Sequence, residues 1–295
     1  MGAKLRETRR RIRGVQSTMK ITRAMELIAA SQIRRAQERV EQARPYAELI
    51  TRAIQDVAGA ADVLEHPLLE GRPDPKAAAV FVVTSDRGLA GAYNANVLRT
   101  TEELLQTLRS EGKEPRMYVA GRKGMSYFRF RRRRVEESWA GFSERPRYDD
   151  AREIADTLIR AFIDRDVDEI HGVYTHYVSG LTQRATARRF VPMVVEEVEE
   201  EVEGPVPLYI YEPSPEEILA AMLPRYVQTR VYHALLESAA SEHAARRRAM
   251  SAATENAEDL IKSLTRVANQ ARQTEITTEI MEIVGAAEAL EKVGS

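Results

Sequence analysis

The 295-residue chain contains no cysteine. Disulfides, thiolate metal sites and thiol switches are therefore excluded. Long apolar runs are missing too, and no stretch approaches the ~18 consecutive apolar residues needed to cross a bilayer. The N-terminus, MGAKLRETRRRIRG, lacks the apolar centre and cleavage site of a secretory signal. It matches a myristoylation signal only loosely, because its sixth residue is Arg. These absences lead us to expect a soluble, cytoplasmic protein that reaches a membrane only through a partner. Net charge is nearly absent at −1, so nothing draws the chain as a whole towards nucleic acid. Lysine is scarce, 7 against 37 arginines, a bias of genome composition or temperature rather than of function.

Glycine and proline are absent from two long stretches. Arg225 to Val284 holds neither, and Val15 to Val57 holds only Pro45. Ala, Glu, Arg and Leu, all strong helix formers, dominate the first of these. An unbroken helix over its sixty residues would be roughly 90 Å long. Such a helix cannot be hidden in one compact core and needs a long partner. Ala253, Ala257, Leu260, Leu264, Val267 and Ala271 alternate in steps of four and three, the spacing of a coiled-coil seam. At the other end of the chain Ile12, Val15, Met19, Thr22, Glu26, Ala29, Ile33, Ala36, Val40 and Ala43 keep the same alternation. Pro45 should bend or break that helix. Residues 1–57 carry thirteen Lys and Arg against six Asp and Glu, whereas 216–292 carry nine against twelve. This asymmetry favours their pairing. The expected architecture is a long antiparallel coiled coil of N- and C-terminal helices (1–58 and 215–292) with a Rossmann-like α/β domain (77–212) inserted at one end.

Residues 58–76, rich in Gly and Pro, read as a linker. The apolar run AAAVFVV reads as a strand buried on both faces, and so as part of a parallel sheet. A helix over 96–110, a strand over 116–120, a helix over 150–164, a strand over 169–176 and an antiparallel strand over 182–192 complete an open α/β sheet. The acidic run 194–204 reads as a solvated loop. Ser214 suits a helix N-cap, with Pro215 at the first helical position and Glu217 closing the capping box.

Chemistry is sparse. TSDRGLAGAYN sits at a strand end, where α/β folds bind ligands, but it matches neither the dinucleotide fingerprint nor the phosphate loop. Gly88 and Gly91 are better explained by a tight turn and close helix packing, and Gly121-Arg-Lys-Gly124 carries no signature either. His171 and His176, five apart on a strand, point to opposite faces, which is poor geometry for a metal. No Ser-His-Asp grouping is evident. The basic run 129–134, with Phe128 and Phe130 beside it, reads as a solvated edge rather than a nucleic-acid surface. No catalytic, cofactor-binding or metal-binding residue is expected.

Three stretches carry a resemblance. QSTMKITRAMELIAASQIRRAQ (16–37) resembles the N-terminal signature of the gamma subunit family of F-type ATP synthases. EHAARRRAMSAATENAEDLIKSLTRVANQARQTEITTEIMEIVGAAEAL (242–290) resembles that family's C-terminal signature, and TSDRGLAGAYN (84–94) its central turn. Together they cover about a third of the chain. The resemblance implies a non-catalytic rotary shaft turning inside a hexamer of alpha and beta subunits. The epsilon subunit and the membrane c-ring would bind the α/β domain, so that the protein lies peripherally on the cytoplasmic face of a bacterial membrane. It implies that Arg272 and Gln273 reach the hexamer's catch loop and that Arg23 and Met25 lie near the lower lip of the beta subunits. Ile280 to Leu290, with Ile280, Ile283 and Val284 as its contact residues, would be an apolar tip in an upper bearing, and Tyr209, Tyr211 and Glu212 would lie near the c-ring. The sequence departs from the family pattern at Ala90, where Cys is common, at Ala92, where Gly is common, and at the basic RRRAM of 246–250. The thiol-bearing insertion of the chloroplast form is absent. From the residues alone two other readings stay open: a coiled-coil scaffold outside any motor, and a nucleotide-dependent enzyme using the strand ends near Ser85 and Gly88.

Overall fold

The computed structural model describes residues 2–60, 71–193, 212 and 214–293. In chain order the elements are α1 (Gly2–Ala60), β1 (Ala77–Val83), α2 (Tyr93–Ser110), β2 (Glu114–Ala120), α3 (Arg122–Phe130), β3 (Glu137–Trp139), α4 (Tyr148–Ile163), β4 (Glu169–Tyr177), β5 (Gln183–Val191) and α5 (Pro215–Val293). They divide into two compact units, a helical one of residues 1–28 and 247–295 and a sheet-containing one of 29–246.

In the helical unit α1 and α5 pair through a continuous seam. Leu5, Thr8, Ile12, Val15, Met19 and Thr22 are its buried and half-buried positions on α1. Ala271, Ala268, Leu264, Ile261, Ala257 and Thr254 are the corresponding positions on α5. Each step along one set is matched by an equal step in the opposite sense along the other, which is the register of an antiparallel pair. Thr22 and Thr254 anchor it with a buried hydroxyl–hydroxyl hydrogen bond of 2.8 Å. The α1 seam is as expected from the sequence. The α5 seam needs correction at alternate positions. Leu260 and Val267 are 39% and 41% exposed, while Ala268 is only 8% exposed. The packed stripe takes in Thr254, Ile261 and Ala268, each one residue beyond the expected position, so register decides which side chains pack.

The sheet runs β3-β2-β1-β4-β5, with β1 to β4 parallel and β5 antiparallel to β4. Side chains alternate along β1, and each set has its own core. Ala79, Phe81 and Val83 pack with Ile154, Leu158 and Phe162 of α4, with Ile50, Ile54 and Val57 of α1, and with Leu219, Leu223 and Val227 of α5. Ala78, Val80 and Val82 pack with Val97, Leu105 and Leu108 of α2 and Phe128 of α3. This two-faced burial is what the apolar run AAAVFVV implies.

Several local expectations change. Two elements, α3 and the three-residue β3, were not anticipated. The helix α1 runs through Pro45 without a break, and α5 runs through Pro224. The carbonyls each proline leaves unpaired belong to Glu41 and Ala220, both exposed, so water can take the missing bond. Residues 58–60 of the expected linker continue α1, while 61–70 and the acidic run 194–204 lie outside the described residues. Ser214 does cap α5, its Oγ accepting the N–H of Glu217 at 3.3 Å.

Candidate functional site

In the helical unit most of the residues singled out from the sequence lie on the surface. Arg23 is exposed and forms an i,i+3 ion pair with Glu26 at 3.0 Å, while Met25 is half-buried. Arg272 and Gln273 are both exposed. Past them α5 leaves Ile280, Ile283 and Val284 uncovered at 55%, 69% and 51%, together with Ile276 and Met281. A run of large apolar side chains at one end of a helix is costly in water unless something covers it. Ile21, Leu27 and Ile28 on α1 are exposed as well. Sequence reading did not single out Ile276 or these α1 residues. Their signal is a large aliphatic residue off the seam register. Glu212 is exposed, and Tyr209 and Tyr211 lie outside the described residues.

In the sheet-containing unit the strand-end turn is built around Asp86. Its Oδ1 accepts the N–H of Arg122 at 3.2 Å, and its Oδ2 accepts those of Gly141 at 2.7 Å and Ser143 at 3.1 Å. One carboxylate thus joins the ends of β1, β2 and β3. It also sits at the N-terminus of α3, the place where an α/β fold offers its backbone N–H groups to a phosphate. The hydroxyl of Thr84 donates to the Ala120 carbonyl at 2.9 Å and accepts the Gly124 N–H at 2.9 Å. Gly121 has φ +98°, and a Cβ there would strike the Thr84 carbonyl. Ser85 donates to the Arg87 carbonyl at 2.6 Å and is bonded to Asn94. It is buried and held as a turn residue, not as a nucleophile. Gly91 uses a positive φ of 55°. At Gly88 a Cβ would make only ordinary contacts, so the tight-turn reading holds for Gly91 alone.

Beneath this turn lies a buried charge cluster that sequence reading missed. Arg246 Nη2 donates to Glu242 at 2.6 Å, and its Nη1 lies 3.3 Å from Glu144. Burial pushes the Glu242 carboxyl upward, and Arg246 only partly offsets it. His171 and His176 do take different partners, Glu169 at 2.9 Å and Glu237 at 2.8 Å. The basic run 129–134 is exposed except at the half-buried Arg133, and three of its arginines have local partners. Arg133 is tied to Glu102 at 2.6 Å, Arg134 to Glu136 at 2.9 Å, and Arg131 stacks on Tyr127. Nothing in this geometry is a nucleophile–base pair.

Comparison with known proteins places the chain. A family model described as ATP synthase matches residues 4–290. An ATP synthase gamma chain of Frankia casuarinae is 60% identical over 295 residues, covering 98% of this chain and 99% of that protein. Those of Mycolicibacterium vanbaalenii and Acidothermus cellulolyticus are 58% and 59% identical, covering 98% and 100% of this chain and 99% and 100% of theirs. Among solved structures, a chain from the central stalk and c-ring of the Tetrahymena thermophila mitochondrial ATP synthase aligns with a TM-score of 0.57 at 22% identity, over 79% of this chain and 99% of that one. A chain from the OSCP/F1/c-ring assembly of the Euglena gracilis enzyme aligns at 0.65 and 16% identity, over 98% and 95%. At such identities the structural likeness speaks for the fold.

Proposed function

Since the chain belongs to the gamma-chain family of the ATP synthases, we propose that it works as the central shaft of a proton-transporting enzyme, joining c-ring rotation to conformational change at the beta subunits. As a gamma chain it is a subunit of that complex and not an enzyme by itself. A shaft couples rotation to nucleotide affinity by touching alternative hexamer states unequally, which requires a directional surface and no chemistry of its own.

The observation that carries this reading is the exposed apolar end of α5, joined by exposed Ile21, Leu27 and Ile28 on α1. Ile280, Ile283 and Val284 are the side chains that a surrounding ring of subunits would cover. Arg272 and Gln273, polar and exposed just before them, would meet the catch loop. Arg23 and Met25 would face the lower lip of the beta subunits. Tyr209, Tyr211 and Glu212 would approach the c-ring. The α/β unit would carry the epsilon subunit. No described helix is long and apolar enough to cross a membrane, so attachment to the cytoplasmic face of a bacterial cell membrane would be peripheral, through the c-ring. Reconstitution tests this directly. The purified chain, mixed with alpha, beta and epsilon subunits, should form one complex that hydrolyses ATP. Alpha and beta assembling to full activity while this chain elutes separately would sink the proposal and favour the scaffold reading.

A further inference from the structure

The sheet-containing unit holds a cleft that the shaft function leaves unused. It has a volume of about 990 Å³ and opens at the C-terminal ends of β1 to β3, the edge where open α/β sheets take their ligands. Its walls carry five arginines, Arg39, Arg87, Arg122, Arg145 and Arg147, against Asp86, Glu144 and Asp150. Those carboxylates are already engaged. Asp86 holds its three backbone N–H groups. Glu144 lies against Arg246 at 3.3 Å and Arg87 at 3.6 Å. Asp150 accepts the N–H of Arg147 at 2.7 Å. Among the described residues no carboxylate forms an ion pair with Arg39, Arg122 or Arg145. The cleft therefore presents guanidinium groups with free donors.

A second cavity of about 190 Å³ shares Tyr148 and Tyr232 with this cleft and is walled by Tyr46, Ala43, Ala47 and His233. Tyr148 and Tyr232 meet edge to face at 5.6 Å, and the Tyr148 hydroxyl donates to Gln228 at 2.9 Å, which fixes their orientation. An apolar slot lined by fixed aromatic rings suits a flat ring system. Guanidinium forks beside it suit phosphate oxygens, which they can bind in pairs. Asp86 already fills the N-terminus of α3, so a ligand's phosphates would meet side chains and not the helix. This explains why no phosphate-loop pattern is needed.

We propose that this two-part cleft binds a nucleoside phosphate, with its base in the slot between α1, α4 and α5 and its phosphates on Arg122 and Arg145. We assign it a binding role only, because the carboxylates of its wall are engaged by Arg87, Arg246 and backbone N–H groups, and the Ser143 hydroxyl accepts the Asp86 N–H. Calorimetric titration of the full chain, without metal and at low salt, with ATP, adenosine and pyrophosphate separately, tests it. ATP should bind with a dissociation constant at or below about 1 mM, and adenosine and pyrophosphate at least about tenfold more weakly. The double variant Arg122→Gln, Arg145→Gln should weaken ATP binding by at least about tenfold. Arg129→Gln with Arg132→Gln, on the other basic surface, should leave it unchanged. Amide exchange over 140–148 should slow when ATP is added to the unmodified chain, a reading that needs no variant. Absence of ATP binding, equal affinity for pyrophosphate, or equal weakening by the 129/132 pair would each overturn the proposal.

Discussion

The hydroxyl oxygens of Thr22 and Thr254 lie 2.8 Å apart although 232 positions separate them in the chain. Each hydroxyl also has a carbonyl of its own helix in reach, Met19 for Thr22 at 3.0 Å and Met250 for Thr254 at 2.9 Å, and with two protons for three contacts one hydroxyl donates across the seam while the other donates to its own helix. The pair is a polar lock within an apolar and alanine-rich seam. Removing either hydroxyl removes the bond across the seam and leaves its partner only the carbonyl of its own helix, so removing both loses little more than removing one. Thr22→Val and Thr254→Val should each cost about 0.5–1.5 kcal/mol, and the double variant less than their sum. Urea melts of all four proteins provide the cycle, and strict additivity would mean that the hydroxyls do not interact.

Ala257 is buried on the α5 seam, while Ala252 nearby is exposed. Ala257→Leu should force the two helices apart at a cost of about 1–3 kcal/mol, whereas Ala252→Leu should be close to neutral. Thermal melts compare the two. Equal melting temperatures would show that the seam has been placed on the wrong face.

Asp168 accepts a hydrogen bond from Arg72 at 2.7 Å and from the N–H groups of Lys76 at 2.7 Å and Ala77 at 3.0 Å, where the chain enters β1. Burial alone would raise its pKa, but these donors outweigh it and hold the carboxyl below the usual range. A depressed carboxyl contributes stability above its unfolded pKa of about 3.9 and loses it as pH falls through its folded value. Asp168→Asn should therefore destabilise the protein by about 1–3 kcal/mol at pH 7, and the gap to the parent should narrow as pH drops from about 5 to about 3. Urea midpoints across that range decide it. A gap independent of pH would remove the charge from the explanation.

Arg272 and Gln273 are exposed on α5, so replacing both by Ala should leave helicity unaltered. If they contact the hexamer, ATP turnover per assembled complex should fall, since Arg pairs with a carboxylate in a geometry that Ala cannot supply. Activity must be normalised to assembly measured separately. Full turnover at normal assembly would make them solvated surface residues.

The long helices and the parallel sheet were legible because their signals are repetitive. The steps of three and four over Ile12 to Ala43, and the two-faced burial of AAAVFVV, each repeat one physical demand. The α5 seam was only half legible. Leu260 and Val267 outrank Thr254 and Ala268 in hydropathy, but register decides which stripe packs. α3 and β3 were hidden because each is short and the segment between them is a run of arginines, of which Arg133 and Arg134 pair with Glu102 and Glu136. The role of Asp86 was not legible. Arg122, Gly141 and Ser143 offer its carboxylate only backbone N–H groups, which every sequence has. The cleft at the strand ends depends on the same placement of distant segments.

The absence of cysteine allows one introduced thiol to report on rotation. Ser110, exposed at the end of α2, can be changed to Cys and labelled with a visible probe, and the alpha–beta hexamer can be fixed to a surface through its own subunits. On addition of ATP the probe should turn continuously in one sense relative to the hexamer, in step with hydrolysis. A probe that stays fixed while the complex hydrolyses ATP at its full rate would contradict the assignment of this chain as the shaft.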